Sequence, residues 1–401
     1  MAMYRYRGRN RNGVLVNGKL KSESEKDARI KLKEKGVNVM ELKALDSWLY
    51  KDVSLFQRVT TKDLVIFLRQ FSTLLHAGLS LVDSIEILAK QTSNKLLKEG
   101  LSTVSEDIRT GASFSEATEK QRHVFPPLFT NMIKAGEAGG NIEEILDRLA
   151  VYYEKQHATK QKVISAISYP AVVGVVAFGV VVFLLAFVVP TFADMFSSFG
   201  SELPWITAFV LTLGETMQQF WWLLMLLVLG MGVGIAVMAK DKRYKYYLDY
   251  ALLKMPIFGG LLQKAAIARM SRTLSSLFSS SVPVLQATSI VERVVGNEVL
   301  AKVIRDSRNS LEKGESMAEP MEKHWIFPPL VTQMVVVGEK TGSLDSMLGK
   351  VADFYEVEVD QATERLKTAI EPLLIVGLAV VVGVIVAAIA IPMFEIFDTI
   401  G

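Results

Sequence analysis

The chain contains three long apolar runs, at residues 171–189, 220–239 and 372–391, and none of them includes a charged side chain. Each is about as long as the roughly 20 residues with which an α-helix crosses the hydrocarbon core of a bilayer. With their flanking residues, they predict transmembrane helices at 168–190, 220–239 and 371–392.

A second pattern is an internal repeat, in which residues 60–200 recur as residues 263–401 at an offset of 202 to 203. The string VFPPL ends at Leu128 and returns as IFPPL ending at Leu330. Likewise, GEAGGNIEEIL starting at Gly136 returns as GEKTGSLDSML starting at Gly338. The repeated unit includes its own apolar run, so two similarly folded halves are expected.

Outside the apolar runs, both copies have apolar residues at helical spacing, broken by short segments of Gly, Ser and Pro. After each G-E loop a helix start is predicted, with N-caps at Asn141, which has Glu144 three residues on, and at Ser343. These patterns predict two helical bundles, at residues 60–167 and 240–370.

The first 55 residues differ from both copies. They predict a β-hairpin around Asn12 and Gly13, then a capped helix and a final strand, which together make a small α+β appendage at 1–55. Basic residues outnumber acidic ones here. The appendage therefore suits binding to anionic lipid or an acidic partner, although a merely soluble basic surface accounts for it equally well.

The distribution of charge predicts the topology. All 45 Lys and Arg fall in 1–167 and 240–370, whereas the segments 191–219 and 393–401 contain five acids and no base. By the positive-inside rule these two segments are an external loop and an external tail, and the N-terminus is cytoplasmic. Their charge of −5 leaves +8 inside for the total of +3. We expect a mainly α, polytopic membrane protein with three transmembrane helices, two duplicated cytoplasmic bundles and the α+β appendage.

Motifs for chemistry are missing from the sequence. It has no cysteine, its four histidines lack metal-ligand spacing, and it contains no phosphate-binding loop, since GEKTG at Gly338 only resembles the end of one. The three apolar runs also lack Asp, Glu, Lys, Arg and His, which weakens the case for transport or intramembrane proteolysis. We expect a protein that is not an enzyme and has no cofactor, no metal and no nucleic-acid partner.

The repeated loops are the candidate sites. Glu137 and Glu339 are interpreted either as caps of their own loop's amides or as contacts for a partner or a cation, and FPPL as a helix-breaking corner or a recognition surface. Small residues at four-residue spacing predict close helix packing in the membrane. These packing residues are Gly230, Gly234, Ala379, Gly383 and Ala387.

The duplicated F-P-P and G-E-x-x-G pattern, the three spans and the C-terminal PMFEIFDTIG resemble the inner-membrane platform proteins of type IV pilus assembly and type II secretion. The resemblance covers residues 60–401, and more loosely the appendage. Thr341 replaces Gly139 in the second copy, which raises the prospect of a different loop conformation. The signature positions that carry over are Phe125, Pro126, Pro127, Gly136, Glu137 and Gly140, with Phe327, Pro328, Pro329, Gly338, Glu339 and Gly342.

The resemblance implies a non-enzymatic inner-membrane protein that couples a cytoplasmic hexameric ATPase to the insertion of pilin-like subunits into a growing fibre. It implies contacts with pilin or pseudopilin transmembrane helices and with inner-membrane alignment components, and we expect a homo-oligomer surrounded by membrane lipid. In the mechanism that we infer, the spans move with the bundles to which they join at Pro170 and Pro372. Two alternatives remain, an oligomeric membrane transporter and a membrane scaffold.

Overall fold

The computed structural model describes residues 2–9, 15–22, 25–34, 36, 38–44, 58–198, 204–239, 241–256 and 258–400. Most of these residues are helical, as expected of a mainly α protein. The chain divides into two compact units, Met1–Arg58 and Val59–Gly401, and each is described by itself.

The N-terminal unit is a three-stranded antiparallel sheet with one helix. Strands β1 (Ala2–Arg9) and β2 (Leu15–Ser22) pair as the predicted hairpin, although its turn residues Asn12 and Gly13 lie outside the described residues. Helix α1 (Glu25–Glu34) precedes β3 (Asn38–Ala44), which pairs with the other edge of β1, so the sheet order is β2-β1-β3.

The second unit begins with a series of six helices. Polar caps fix several of their starts: Thr60 and Asp63 form a capping box at the first helix, and Ser113 and Glu116 form another at the fourth. In order, the helices are α2 (Thr61–His76), α3 (Leu81–Gln91), α4 (Lys95–Arg109), α5 (Phe114–Lys120), α6 (Pro127–Gly139) and α7 (Ile142–Phe183).

Helix α7 passes through Pro170 without a break. It continues through a π-helical segment, Leu184–Val188, into α8 (Val189–Ser198). At its start, the predicted side-chain cap by Asn141 is wrong. The backbone N–H of Asn141 closes the preceding turn on the Gly136 carbonyl, and its φ of −120° and ψ of 42° lie outside the extended conformation of an N-cap. Its side-chain amide donates to Glu144 instead.

Helix α9 (Trp205–Met238) is longer than the predicted second span and begins inside the predicted external loop. Helix α10 (Lys242–Lys254) follows it, and Asp241 caps α10 by accepting the backbone N–H of Arg243 at 2.9 Å.

A second series of six helices has the order of the first, and its second, third and fifth members have the same lengths as α3, α4 and α6. The last helix runs through both Pro372 and Pro392. The series consists of α11 (Gly259–Ser279), α12 (Val284–Val294), α13 (Glu298–Glu312), α14 (Ala318–Glu322), α15 (Pro329–Thr341) and α16 (Leu344–Ile400).

The two series share one hydrophobic core. A single cluster of buried side chains extends from Leu68 and Met132 in the first series to Leu274 and Val335 in the second. The two predicted bundles are therefore packed together in this unit.

Two helical stretches are long and apolar enough to cross a membrane, Ile142–Phe192 and Leu344–Ile391. Helix α9 qualifies when its parts Trp205–Leu223 and Met225–Met238, bent by 43°, are taken as one span. Helices α10 and α11 also qualify as a pair bent by 118°. However, the apolar residues of α11 lie in the protein core.

Candidate partner-binding surfaces

The F-P-P corner of the first series directs its aromatic residue into the core. The Phe125 ring is fully buried and stacks on Phe129, with 4.8 Å between ring centroids, while Phe67 lies 6.1 Å away. Pro126 is the N-cap of α6, and Pro127 is its first residue, where the missing N–H breaks no helical hydrogen bond. The corner thus starts a helix and anchors it through a buried aromatic side chain.

The predicted G-E loop of the first series is the last turn of α6, and its glutamate caps another helix. The Glu137 carboxylate accepts the backbone N–H of Phe114 at 2.5 Å and that of Ser115 at 3.1 Å. These are the first residues of α5, whose N–H groups have no partner within the helix and favour a negative charge. Glu137 is therefore a cap, but of a helix start more than twenty residues earlier and not of its own loop.

The second series repeats this arrangement. The Glu339 carboxylate accepts the backbone N–H of Met317 at 2.7 Å and the hydroxyl hydrogen of Ser316, just before α14. Ser316 and Met317 lie directly before α14, whereas Phe114 and Ser115 are the first residues of α5. Both glutamates therefore accept hydrogen bonds at the start of a helix.

The glycines of the loops have two separate roles. Gly136 and Gly338 are buried where two helices meet, and a Cβ at Gly338 would lie 3.0 Å from the backbone Cα of Leu344. Gly140 and Gly342 end their helices with φ of 69° and 71°, in the left-handed conformation that glycine adopts at low cost. The loop conformations therefore match at this position, despite Thr341 in place of Gly139.

The twelve signature residues differ in their accessibility. Both phenylalanines and the first glycine of each G-E motif are buried, and both glutamates are half-buried. The fold thus gives a reason for each signature position, and contact with a partner stays a prediction. The exposed members that remain available for it are Pro127, Gly140, Pro329 and Gly342.

Matching ion pairs hold the first helix of each series to the last. Arg69 donates to the two carboxylate oxygens of Glu154 at 2.7 and 2.6 Å. Its counterpart Arg272 donates to Glu356 at 2.9 Å and also pairs with Asp353. Hydrogen bonds from Arg69 lower the pKa of Glu154 below its ordinary value, so this carboxylate stays charged at neutral pH.

Polar contacts also join the two series across their shared core. Lys155 and Lys162 of α7 donate to Glu356 and Asp360 of α16 at 2.9 and 2.6 Å. A buried hydroxyl pair, Tyr152 and Thr273, lies beside them. These contacts between the two series were not predicted from the sequence, because no pattern within one copy indicates which helix face packs against the other copy.

In the apolar region, α9 packs against the ends of the other two candidate spans. Pro190 and Pro392 have no N–H, so the carbonyl oxygens four residues earlier lose the donor that an α-helix normally supplies. One of these carbonyls, Ala186, accepts a hydrogen bond from Gln218 of α9 at 2.9 Å. The other, Ala388, accepts one from Thr207 at 2.6 Å. The recurring prolines thus create acceptors that α9 satisfies.

These helices approach closely at Gly214, which the small-residue pattern did not single out. A Cβ there would lie 2.7 Å from the backbone oxygen of Leu185. By contrast, Cβ atoms at Gly230, Gly234 and Gly383 would meet no described atom within 4 Å. The predicted packing at these three glycines is therefore not made within the described chain, and it stays a prediction for contact with other chains.

No group of three or more His, Asp or Glu residues that could hold a metal ion occurs within the described ranges. His76, for example, contacts the Ser72 carbonyl at 2.9 Å and the Glu143 carboxylate at 3.2 Å, which places it among ordinary helix-surface interactions.

Comparison with known proteins agrees with this architecture. The family model described as "Type II secretion system (T2SS), protein F" matches twice, at residues 67–190 and 270–392. The model for the N-terminal domain of the same protein matches residues 1–43.

Full-length relatives extend the comparison. The chain is 39% identical to the "Type IV pilus assembly protein PilC" of Thermus thermophilus, with all of both chains covered. It is 35% identical to the protein of the same name from Myxococcus xanthus, over 98% of this chain and 95% of the relative. It is 33% identical to the "Type II secretion system protein F" of Xanthomonas campestris pv. campestris, again over the whole of both chains. The chain therefore belongs to the protein F family of type II secretion, which includes the PilC proteins of type IV pilus assembly.

Proposed function

We propose that this protein is the inner-membrane platform of a type IV pilus or type II secretion machine. In this role it is not an enzyme, and it couples a cytoplasmic hexameric ATPase to the insertion of pilin-like subunits into a growing fibre. Family membership supports a place in such a machine, and the absence of any phosphate-loop motif from the sequence supports a separate source of energy.

The proposed topology has three spans, at 168–190, 220–239 and 371–392, with the N-terminus and both bundles in the cytoplasm. The external loop 191–219 and the tail 393–401 lie on the other side. The strict separation of basic residues supports this orientation. The first half of α9, which packs on α8 and on the π-helical segment, extends the second span into the predicted external loop.

The observation that carries the coupling is the continuity of α7 and α16. Each runs without a break from the bundle into its apolar stretch. The two are also packed together near the junctions, because Ala166 and Leu366 share a buried cluster with Leu261 of α11. If the bundles rotated, the spans would therefore rotate with them, because α7 and α16 have no break at which to bend.

The positions of the loops suggest where the ATPase docks. The G-E loop before α7 lies about 44 Å along the helix axis from the first apolar run, at 1.5 Å per residue. The exposed prolines of the F-P-P corners start α6 and α15, and these two helices end at the G-E loops. We assign the loop end to the ATPase and the membrane helices to pilin, alignment components and further copies of this chain.

A linker experiment tests the coupling. A flexible Gly/Ser insertion just before Pro170 and another before Pro372 are expected to abolish fibre assembly while leaving membrane insertion and protein level unchanged. The matched control places the same linker after Gly111, in an exposed turn that does not connect bundle and span. Intact assembly with the linkers at both junctions would overturn the coupling mechanism.

A crosslinking experiment tests the partners. Photoreactive residues at exposed Ala138 and Lys340 sample the loop end, and one at Gly383 samples the third span. Mass spectrometry is expected to identify an assembly ATPase from the first two positions and a pilin-like helix from the third. Capture of a solute-binding protein in their place would contradict the platform role and favour transport.

A further inference from the structure

Helix α10 begins four residues after the end of the apolar helix α9 and differs from it in composition. Its sequence, KRYKYYLDYALLK, contains four basic residues, four tyrosines and a single acid. Such a helix at the end of a span combines the amphipathic aromatic residues and the basic residues that favour the headgroup layer of a membrane.

One face of α10 is fixed to the bundle. The only acid, Asp249, is buried and accepts the backbone N–H of Glu298 at 2.7 Å, at the start of α13. Leu253 is buried in the shared core, and Tyr246 packs against that core with Lys302 over its ring. The orientation of the helix is therefore set by the protein.

The opposite face is aromatic and exposed. Tyr244, Tyr247 and Tyr250 are 53%, 67% and 40% exposed, and they recur every three residues on one side of the helix. Trp325, from the segment before the second F-P-P corner, extends this surface: its ring lies 5.8 Å from that of Tyr250 and is 41% exposed. We call these four residues the aromatic face of α10.

Positive charge surrounds the aromatic face. Lys242 and Arg243 are exposed at the start of the helix, and Lys254 at its end lies 4.0 Å from the centre of the Trp325 ring. Within α10 no acid faces outward, because Asp249 points into the bundle. The exposed Asp241 just before the helix accepts the backbone N–H of Arg243. The surface thus presents cations and amphipathic rings together, which complements the anionic headgroups and interfacial carbonyls of phospholipids.

We propose that α10 and Trp325 form a binding surface for anionic phospholipid and lie in the headgroup layer of the cytoplasmic leaflet. This inference rests on the proposed placement of α9 as a span. It adds a fixed point at which the second bundle rests on the membrane, on the opposite side of α10 from its contacts with α11 and α13.

Site-directed spin labelling of the full chain tests the location. The protein has no cysteine, so single variants label cleanly. We would compare Tyr247→Cys with Leu285→Cys, an exposed position in the first turn of α12, in phosphatidylcholine nanodiscs with and without phosphatidylglycerol. The label at 247 is expected to be open to oxygen and protected from a water-soluble nickel complex, and the label at 285 to be open to nickel.

A third label, at Val233→Cys in α9, separates this proposal from the topology on which it rests. Nickel access at 247 with protection at 233 would overturn the lipid surface and leave the span intact. Nickel access at both positions would overturn the span as well. Protection of 247 from both reagents would indicate a protein partner and would also overturn the lipid proposal.

A charge-reversal series tests the lipid chemistry. Reversal of one charge, at Lys242, Arg243 or Lys254, is expected to lower the preference for phosphatidylglycerol over phosphatidylcholine in the co-purified lipid by at least about fivefold, the factor for the loss of one cation. The matched control reverses Lys313, Lys340 and Lys350, exposed residues near the loop end. An unchanged lipid ratio in K242E, R243E and K254E, or equal losses in the control variants, would overturn the proposal.

Discussion

The hydroxyl groups of Tyr152 and Thr273 lie 3.0 Å apart in the core shared by the two helix series. Thr273 donates its only hydroxyl hydrogen to the Arg269 carbonyl at 2.7 Å, so Tyr152 must be the donor in the pair. Burial raises the pKa of the Tyr152 phenol, which keeps this donor hydrogen in place at neutral and mildly alkaline pH.

This geometry predicts unequal costs for the two single variants. Tyr152→Phe leaves Thr273 with its Arg269 partner and is expected to lower the free energy of unfolding by about 1 kcal/mol, whereas Thr273→Val leaves a buried phenol unpaired and costs about 1–3 kcal/mol. Denaturant titration in detergent measures both. The double variant should cost less than the sum, and strict additivity would contradict the hydrogen bond.

The proline-dependent contacts of α9 predict a rescue. Gln218→Leu removes the donor to the Ala186 carbonyl and is expected to destabilise the membrane helices by about 1 kcal/mol. Pro190→Ala restores a backbone N–H in α8, so Gln218→Leu should cost less in that background. Thermal unfolding in lipid vesicles measures the coupling. An equal cost in both backgrounds would refute the role of the proline, and Thr207→Val with Pro392→Ala provides an independent second case.

The glycines predict a contrast between two alanine substitutions. Gly338→Ala places a methyl group 3.0 Å from a backbone atom of Leu344 and is expected to cost about 1–3 kcal/mol. Gly230→Ala faces open space in the described chain and should leave the thermal stability of the purified protein unchanged. Equal stability of the two variants would show that the corner before α16 adjusts freely. A loss of fibre assembly confined to Gly230→Ala would indicate contact with another chain.

The Arg69–Glu154 pair predicts a dependence on pH. A carboxyl group with a lowered pKa stabilises the fold above its ordinary value of 4.5, and this stabilisation disappears as the pH falls through the folded-state value. Because both side chains are more than a third exposed, Glu154→Gln should cost only about 0.3–1 kcal/mol at pH 7. The difference from the parent protein should vanish in acid. Glu99→Gln, at an exposed site, is the control, and a difference that persists in acid would contradict the ion pair.

The sequence predicts the high helix content well, because apolar periodicity and caps are local. It also predicts the hairpin of the appendage. Two kinds of feature escape such reasoning. Glu137 caps α5 across more than twenty residues, and the pairing of Lys155 with Glu356 spans 201 residues, so neither follows from local spacing.

The effect of the prolines also could not be predicted from local sequence. A proline usually marks the end of a helix, yet Pro170 and Pro372 lie inside continuous ones. In an apolar environment no water is present to bond the carbonyl oxygen that the proline leaves without a donor. A neighbouring helix can supply the donor instead, as Gln218 does beside Pro190. Which neighbour supplies it is a property of the packed fold.

The shared core also has a consequence for folding during synthesis, because it can form only after both helix series have been made. The face of α7 that carries Lys155 finds its partner Glu356 only when 201 further residues have been made. At about 5–20 residues per second, this takes roughly 10 to 40 s. Throughout that interval the first half of the chain exposes the apolar surface beside Tyr152 that the second half later covers. The nascent protein must therefore be protected from aggregation until its second half emerges from the ribosome.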